Sequence, residues 1–145
     1  MDPDFRARIV SVAEQWIGTP YRHQGFKQGV GCDCLGLLRG VWQAIYGSEP
    51  EKPRAYSRDW AEFDASDALM AAAARHLVKT DRLLPGTVIL FRWREGMAAK
   101  HVGIATGPDR FIHAYERMAV TQSPLVPHWK RRIAGLFDFP EPTEY

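Results

Sequence analysis

Hydrophobic residues recur with a helical period at two places in the first third of the chain. The first stripe predicts an amphipathic helix over residues 4–17, which Gly18-Thr19-Pro20 ends. The second predicts a helix that begins at Cys34, with Asp33 as its N-cap, and ends at Gly47. The second stripe consists of Cys34, Leu38, Val41, Trp42 and Ile45. Because Cys34 opens this stripe, we expect its thiol to point toward the core.

The segments around the second helix are less regular. Residues 21–31 are polar and glycine-containing, which is typical of a loop, and residues 66–78 predict a third helix with Ser66 as its cap. Residues 48–63 show no clean period but carry three aromatic side chains, Tyr56, Trp60 and Phe63. A loop of this length is often functional or faces a partner.

After Pro85-Gly86 the pattern changes to short runs rich in β-formers, separated by turn residues. The predicted strands are residues 87–93, 101–106, 110–115, 118–122 and 133–139, with a helical turn over 128–132. Helices followed by an antiparallel sheet of about five strands predict an α+β fold. We expect one domain over residues 1–139 and a C-terminal tail over 140–145.

Composition sets limits on the function. The chain has 145 residues, 46% of them hydrophobic and 25% charged, with a net charge of +2. This is an ordinary globular composition, and there is no Lys/Arg run of the kind that forms a phosphate-binding stripe, which argues against nucleic acid as a partner. No apolar run is long enough for membrane insertion, and from the acidic start we expect no secretory signal. We therefore expect synthesis in the cytoplasm, with delivery by another route if the substrate lies outside.

Three residues carry the candidate chemistry: Cys34, His101 and His113. A helix N-terminus favours an anion, so we expect a lowered pKa for the Cys34 thiol and N–H groups able to hold an oxyanion. The alternative for Cys34 is a small buried packing residue. Cys32 and Cys34 lack the two-residue spacer typical of structural zinc sites, so we expect no metal and no cofactor.

The two histidines lie on successive predicted strands joined through Gly107, Pro108 and Asp109. If these three residues form the hairpin loop, Gly103 opposes His113, and His101 lies diagonal to His113 on the same face. A two-residue loop would put the histidines on opposite faces. We expect Gly103 and Ala105 to leave this face open for the approach of a helix end.

The motifs of the chain, taken in order, resemble those of the NlpC/P60 cysteine peptidases. They are Gly18-Thr19-Pro20-Tyr21-Arg22, Asp33-Cys34-Leu35-Gly36-Leu37, Leu84-Pro85-Gly86-Thr87-Val88, His101-Val102-Gly103-Ile104 and Phe111-Ile112-His113-Ala114. The longer form of the first two motifs, from Thr19 to Gly25 and into Gly31-Cys32-Asp33-Cys34, is most similar to phage-type and gene-transfer-agent cell-wall peptidases. That subtype is associated with particle tails.

The resemblance implies a papain-like fold and hydrolysis of peptidoglycan stem peptides, typically at a D-γ-glutamyl–diaminopimelate bond. It implies Cys34 as nucleophile, His101 as general base and His113 as the residue that orients the base. Tyr21 would line the site near the nucleophile, and we place Asp33 with it on the oxyanion and substrate side. Leu35 departs from the serine of many members, which leaves the substrate subclass open.

The resemblance also implies partners and a location: the hub or baseplate proteins of a phage-like tail, with the chain delivered as part of the particle. Two other interpretations stay open. The domain could be a catalytically silent adaptor in a baseplate, with Tyr56, Trp60 and Phe63 as interface anchors. It could also be an amidase or acyltransferase on the same fold.

Overall fold

The computed structural model describes residues 2–49 and 67–142. Helix α1 spans Pro3–Glu14, and the side chain of Asp2 caps it by accepting a hydrogen bond from the Asp4 N–H. It ends earlier than the predicted residue 17, because residues 15–17 form a turn that leads into Gly18. Gly18 has φ +92° and donates its N–H to the Val120 carbonyl. The turn therefore directs the chain toward the sheet.

Helix α2 spans Cys34–Tyr46 and confirms the predicted start, cap and end. Asp33 is its N-cap, and Gly47 closes it in the left-handed conformation with φ 83°. The helix buries one stripe against the core. The buried large side chains of α2 are Leu37, Val41, Trp42 and Ile45, while Leu38 of the predicted stripe is half-buried.

The segment predicted as a plain loop over residues 21–31 contains a two-stranded hairpin. Strand β1 is Phe26–Lys27 and strand β2 is Gly31–Cys32, with Phe26 paired to Cys32 and Lys27 to Gly31. Each strand has two residues, too short for an alternating pattern to reveal. The hairpin fixes the chain immediately before the N-terminus of α2.

Helix α3 spans Ala68–His76, and Asp67 stands at its N-cap without a side-chain capping bond. The predicted cap Ser66 lies outside the described residues, as do the loop aromatics Tyr56, Trp60 and Phe63. Strand β3, Val78–Thr80, follows directly. The sequence pattern missed this strand, because the predicted third helix includes Val78 and because three residues are too few to show alternation.

Five further strands and a short helix complete the described part of the chain. The strands are β4 Val88–Phe91, β5 His101–Ala105, β6 Arg110–His113, β7 Thr121–Pro124 and β8 Ile133–Asp138, and helix α4 spans Pro127–Lys130. The main sheet is antiparallel and has six strands in the order β3-β8-β4-β5-β6-β7, rather than about five. The fold is α+β as expected, with β3 as the added strand at one edge.

Strand β7 begins three residues later than the predicted start at residue 118. Arg117 has φ 68°, and Met118 donates its N–H to the Tyr115 carbonyl, so this stretch is a turn. The backbone of Val120 is bonded to Gly18 and Thr19. Residues 118–120 are therefore held by the turn and by the loop that follows α1.

The sheet separates two apolar clusters. The larger one packs α1, α2 and α3 against the side chains of Val88, Leu90, Val102 and Ile104. The smaller one, on the opposite face, contains Ile89, Phe91, Ala105, Phe111 and Leu125. Alternation along β4, β5 and β6 places His101 and His113 on the face of the smaller cluster.

The C-terminal end of the described structure contacts helix α2. Pro140 is buried, and the hydroxyl of Tyr46 donates to its carbonyl.

No helix among residues 2–49 and 67–142 has the length and apolar character needed to cross a bilayer.

Candidate active site

Asp33 fixes the N-terminus of α2 with both of its carboxylate oxygens. Oδ1 accepts the N–H of Gly36 at 2.8 Å, and Oδ2 accepts the N–H of Gln24 at 2.8 Å. Asp33 is buried, and Gln24 has φ 61°, an uncommon conformation for a residue with a side chain. One carboxylate thus caps the helix and holds the preceding loop.

The loop and the helix meet through backbone contacts that exclude side chains. A Cβ on Gly36 would overlap the carbonyl oxygen of Gly25, and a Cβ on Gly25 would lie 2.7 Å from the carbonyl oxygen of Gly31. Tyr21 reaches this region through a parallel bridge to Cys32 and packs against the larger cluster. The structure therefore brings Tyr21 and Asp33 to the backbone around Cys34.

The Cys34 side chain is half-buried, and the backbone N–H of Val102, the residue after His101, is near enough to the sulfur to affect the pKa of the thiol. Burial, followed by the nearby charge of Asp33, raises the pKa of the Cys34 thiol to about 12. The N–H groups of Val102, Leu35 and Cys34 lower the pKa but do not outweigh these two effects. The expectation of a lowered thiol pKa was wrong, because withdrawal from water and an adjacent carboxylate exceed the stabilisation at the helix end.

Cys32 is fully buried in the larger cluster. Burial and then the charge of Asp33 raise the pKa of its thiol to about 12. Both cysteines are free thiols.

The two histidines are brought together as predicted. Ile104 pairs with Ile112 and Ala105 with Phe111, so the hairpin has the register of a three-residue loop. Nε2 of His101 lies 2.8 Å from Nδ1 of His113, and both side chains are buried. This contact leaves Nδ1 of His101 as the ring nitrogen that can accept a proton from another group.

Burial governs the protonation of both rings. It lowers the pKa of His101 well below its usual value, with His113 adding to the effect, and lowers the pKa of His113 to about 4. Both imidazoles are therefore neutral near pH 7. The free protein pairs a neutral thiol with neutral imidazoles.

The expectation that Gly103 leaves its face of the sheet open for a helix end was wrong. A Cβ on Gly103 would lie 2.8 Å from the Phe111 ring and 3.4 Å from Cβ of His113. The space above Gly103 is filled by these side chains, while α2 packs against the opposite face, through Val102 and Ile104. Glycine is required here because the β6 side chains lean over β5.

Aromatic side chains enclose the histidine pair, and the sequence analysis assigned none of them to the site. Trp93 stacks on His101 with a centroid distance of 5.6 Å and an interplanar angle of 21°. Trp129 packs against both imidazoles, at 5.7 and 5.2 Å, and Tyr115 lies 5.6 Å from His101. Tyr115 could have been found by counting two residues onward from His113. Trp129 gave no such signal because it comes from α4.

Ser123 also escaped the sequence analysis. Its Oγ lies 2.9 Å from Nε2 of His113, on the side of the ring away from His101. The displaced start of β7 explains the omission, because Ser123 lies beyond the predicted strand.

A thiol at a helix N-terminus, beside a sheet that carries two hydrogen-bonded imidazoles, is the side-chain set of the cysteine hydrolase class. The family follows from the sequence comparison. The chain belongs to the NlpC/P60 family, whose model matches residues 18–137.

Individual relatives agree with this assignment. The chain is 31% identical to the Gamma-DL-glutamyl hydrolase of Bacillus subtilis over 90% of its own length and 29% of that protein. It is 30% identical to the Murein DD-endopeptidase MepS/Murein LD-carboxypeptidase of Escherichia coli, over 89% of the chain and 60% of that protein. The chain thus spans less than two thirds of the length of either relative.

The fold has a close counterpart among solved structures. The NlpC/p60 domain of the peptidoglycan hydrolase SagA superposes with a TM-score of 0.66, over 92% of this chain and 98% of that domain. The two sequences are 22% identical, so this likeness concerns the fold alone.

Proposed function

We propose that this domain is a cysteine peptidase that cleaves peptidoglycan stem peptides, with Cys34 as nucleophile and His101 as general base. The supporting observations are the contact between the two buried imidazoles and the nearness of the Cys34 thiol to the backbone N–H of Val102, the residue that follows His101. Nδ1 of His101 is the nitrogen left to take the thiol proton, because Nε2 faces His113. The name Murein DD-endopeptidase MepS/Murein LD-carboxypeptidase of one relative supports a peptidase that acts on cell-wall material, and the name Gamma-DL-glutamyl hydrolase of the other supports hydrolysis.

The reaction begins from neutral groups. Since burial keeps the thiol protonated and His101 neutral, proton transfer to Nδ1 accompanies attack of sulfur on the scissile carbonyl. The imidazolium then gives this proton to the departing amine, leaving a thioester on Cys34. A water molecule, deprotonated by His101, hydrolyses the thioester and returns the free thiol.

His113 orients the base and Tyr21 faces the reacting carbonyl in this proposal. The backbone N–H of Cys34, with the Tyr21 hydroxyl, offsets the charge on the oxyanion. An oxyanion needs hydrogen-bond donors and a carboxylate supplies none, so Asp33 acts by positioning α2 and the preceding loop.

The expected substrate bond is a γ-glutamyl linkage to diaminopimelate, which the resemblance implies and the name Gamma-DL-glutamyl hydrolase of one relative supports. The test is digestion of purified peptidoglycan, with the released fragments identified by mass spectrometry. Cys34→Ala should release no fragments, and His101→Ala should slow release by about a hundredfold or more, the usual contribution of a general base. Equal release by wild type and Cys34→Ala would refute Cys34 as the nucleophile, and release by neither protein would favour a silent adaptor.

The products also separate peptide cleavage from other acyl chemistry on the same fold. A new free amine and a new carboxylate on the stem peptide indicate hydrolysis, whereas a product that retains the acyl group on an added amine indicates an acyltransferase.

We also propose delivery by a phage-like tail, with hub or baseplate proteins as partners. The support is the longer motif from Thr19 to Gly25 and into Cys34, which resembles the tail-associated subtype. Detection of the chain by mass spectrometry in purified particles, and its absence from particles lacking the tail, is the expected result. A chain recovered outside particles alone would contradict this route.

A further inference from the structure

Ser123, His113 and His101 form an uninterrupted line of hydrogen-bonding atoms. Ser123 Oγ lies 2.9 Å from Nε2 of His113, and Nδ1 of His113 lies 2.8 Å from Nε2 of His101. These distances are within the normal range for hydrogen bonds. The position of the proton on one imidazole ring therefore constrains its position on the other.

The strand register explains why Ser123 occupies this position. Strand β7 pairs with β6 so that Phe111 faces Ser123 and His113 faces Thr121. Ser123 is thus diagonal to His113 on the same face of the sheet, a separation that side chains can bridge. Gln122, between Thr121 and Ser123, points to the other face and bonds Thr106.

Two proton arrangements are possible for this line, because a neutral imidazole carries one N–H. In the first, His101 donates from Nε2 to Nδ1 of His113, and His113 donates from Nε2 to Ser123 Oγ. Nδ1 of His101 is then bare. In the second, Ser123 donates to Nε2 of His113, His113 donates from Nδ1 to His101, and Nδ1 of His101 carries a proton.

Only the first arrangement allows His101 to accept the thiol proton, because Nδ1 is already protonated in the second. The pair is neutral near pH 7, so the choice between the two is a choice of tautomers. The aromatic enclosure limits other hydrogen-bond partners, since Trp129 covers both rings and Trp93 covers His101. The partner at Nε2 of His113 therefore determines which tautomer is stable.

We propose that Ser123 is a positioning residue that accepts the Nε2 proton of His113 and thereby keeps Nδ1 of His101 free. The inference rests on the proposed function for its catalytic consequence. Without the hydroxyl, the first arrangement leaves a buried N–H unpaired. The second leaves a bare nitrogen unpaired, which proteins tolerate more readily. Loss of the hydroxyl therefore shifts the pair toward the inactive tautomer.

Ser123→Thr and Ser123→Val give a matched comparison. Threonine and valine have nearly the same shape and both suit a strand, so the pair differs in the hydroxyl alone. Gln122→Ala is the control for a polar side chain on the same strand that has no contact with His113. All variants are made in the full chain.

The first readout is the side-chain ¹⁵N spectrum of the histidines without substrate, which reports which ring nitrogen carries the proton. Wild type, Ser123→Thr and Gln122→Ala should show His101 and His113 protonated at Nε2. Ser123→Val should show a part of each ring protonated at Nδ1. Identical spectra for Ser123→Val and Ser123→Thr would overturn the inference.

The second readout is cleavage of soluble stem-peptide fragments. Ser123→Val should lower kcat about tenfold, the effect of one lost hydrogen bond, with little change in KM, and Ser123→Thr should restore it. A tautomer shift with unchanged kcat would overturn the catalytic part of the inference. An inactive wild type would refute the proposed function, and the spectra would then decide the role of Ser123 alone.

Discussion

Replacing Asp33 should lower the stability of the protein and raise the reactivity of the neighbouring thiol. The carboxylate accepts two backbone N–H groups at 2.8 Å and is buried, so its removal leaves both donors without their partner. The same carboxylate helps to raise the pKa of Cys34. One substitution therefore changes two measurable properties in opposite directions.

The magnitudes follow from these contacts. Loss of an N-cap costs about 1 kcal/mol, and a buried N–H left without an acceptor costs about 1–3 kcal/mol. Asp33→Ala should therefore lower the free energy of unfolding by about 3 kcal/mol. Asp33→Asn keeps the acceptor for Gly36 but turns an NH₂ toward the N–H of Gln24, so a loss of about 1.5 kcal/mol is expected.

The charge effect on the thiol is the same in both variants. Each unit by which the pKa of Cys34 falls raises the thiolate fraction tenfold at a pH below that pKa. Because burial remains the larger cause, the pKa should stay above its ordinary value and the increase should be about tenfold.

The assay combines urea unfolding with iodoacetamide labelling at pH 8, in a Cys32→Ala background so that one thiol is followed. Equal labelling rates in Asp33→Asn and Asp33→Ala support the charge effect, whereas rates that follow the loss of stability indicate local opening of the structure. Two results would refute the reasoning: an Asp33→Ala protein as stable as the parent, or labelling of Cys34 that is slower in Asp33→Asn than in the parent.

Two further predictions concern the sheet. Gly103→Ala should destabilise the fold by about 1–3 kcal/mol in thermal melts and displace the Phe111 ring, because the added Cβ would lie 2.8 Å from that ring. The control Gly107→Ala should be nearly neutral in the same measurement, because the space around Gly107 is open. Equal melting temperatures for the two variants would contradict this. His113, with its pKa lowered from 6.5 to about 4 by burial, binds a proton in the unfolded chain before it does so in the fold. Stability should therefore fall as the pH drops through this window, by about 2 kcal/mol at pH 5 relative to neutrality, and His113→Asn should lose less in urea unfolding at the two pH values.

The features that the sequence predicted correctly depend on local chemistry. An acidic N-cap, a helical stripe and a closing glycine define α2 within one segment. The loop Gly107-Pro108-Asp109 sets the register of β5 and β6, and with it the approach of the two histidines. Turn length and side-chain alternation are enough for these predictions.

The features that the sequence missed depend on residues that are distant along the chain. The start of β7 is displaced because residues 18 and 19 bond the backbone of Val120. The thiol pKa depends on how α2 packs against β5, which the helix sequence alone does not state. Ser123 and Trp129 reach the histidines through the pairing of β7 and the placement of α4, and neither position carries a periodic signal.

The nearness of the Val102 amide to the Cys34 sulfur has a consequence for the choice of an inactive form of the protein. The pairing of β5 with β6 stops at Ile104 and Ile112, and two residues further the same register would set Val102 opposite Ala114. An alanine at position 34 removes the polar atom near that amide, whereas a serine retains one, so Cys34→Ser is the better-matched dead variant for trapping a bound peptide.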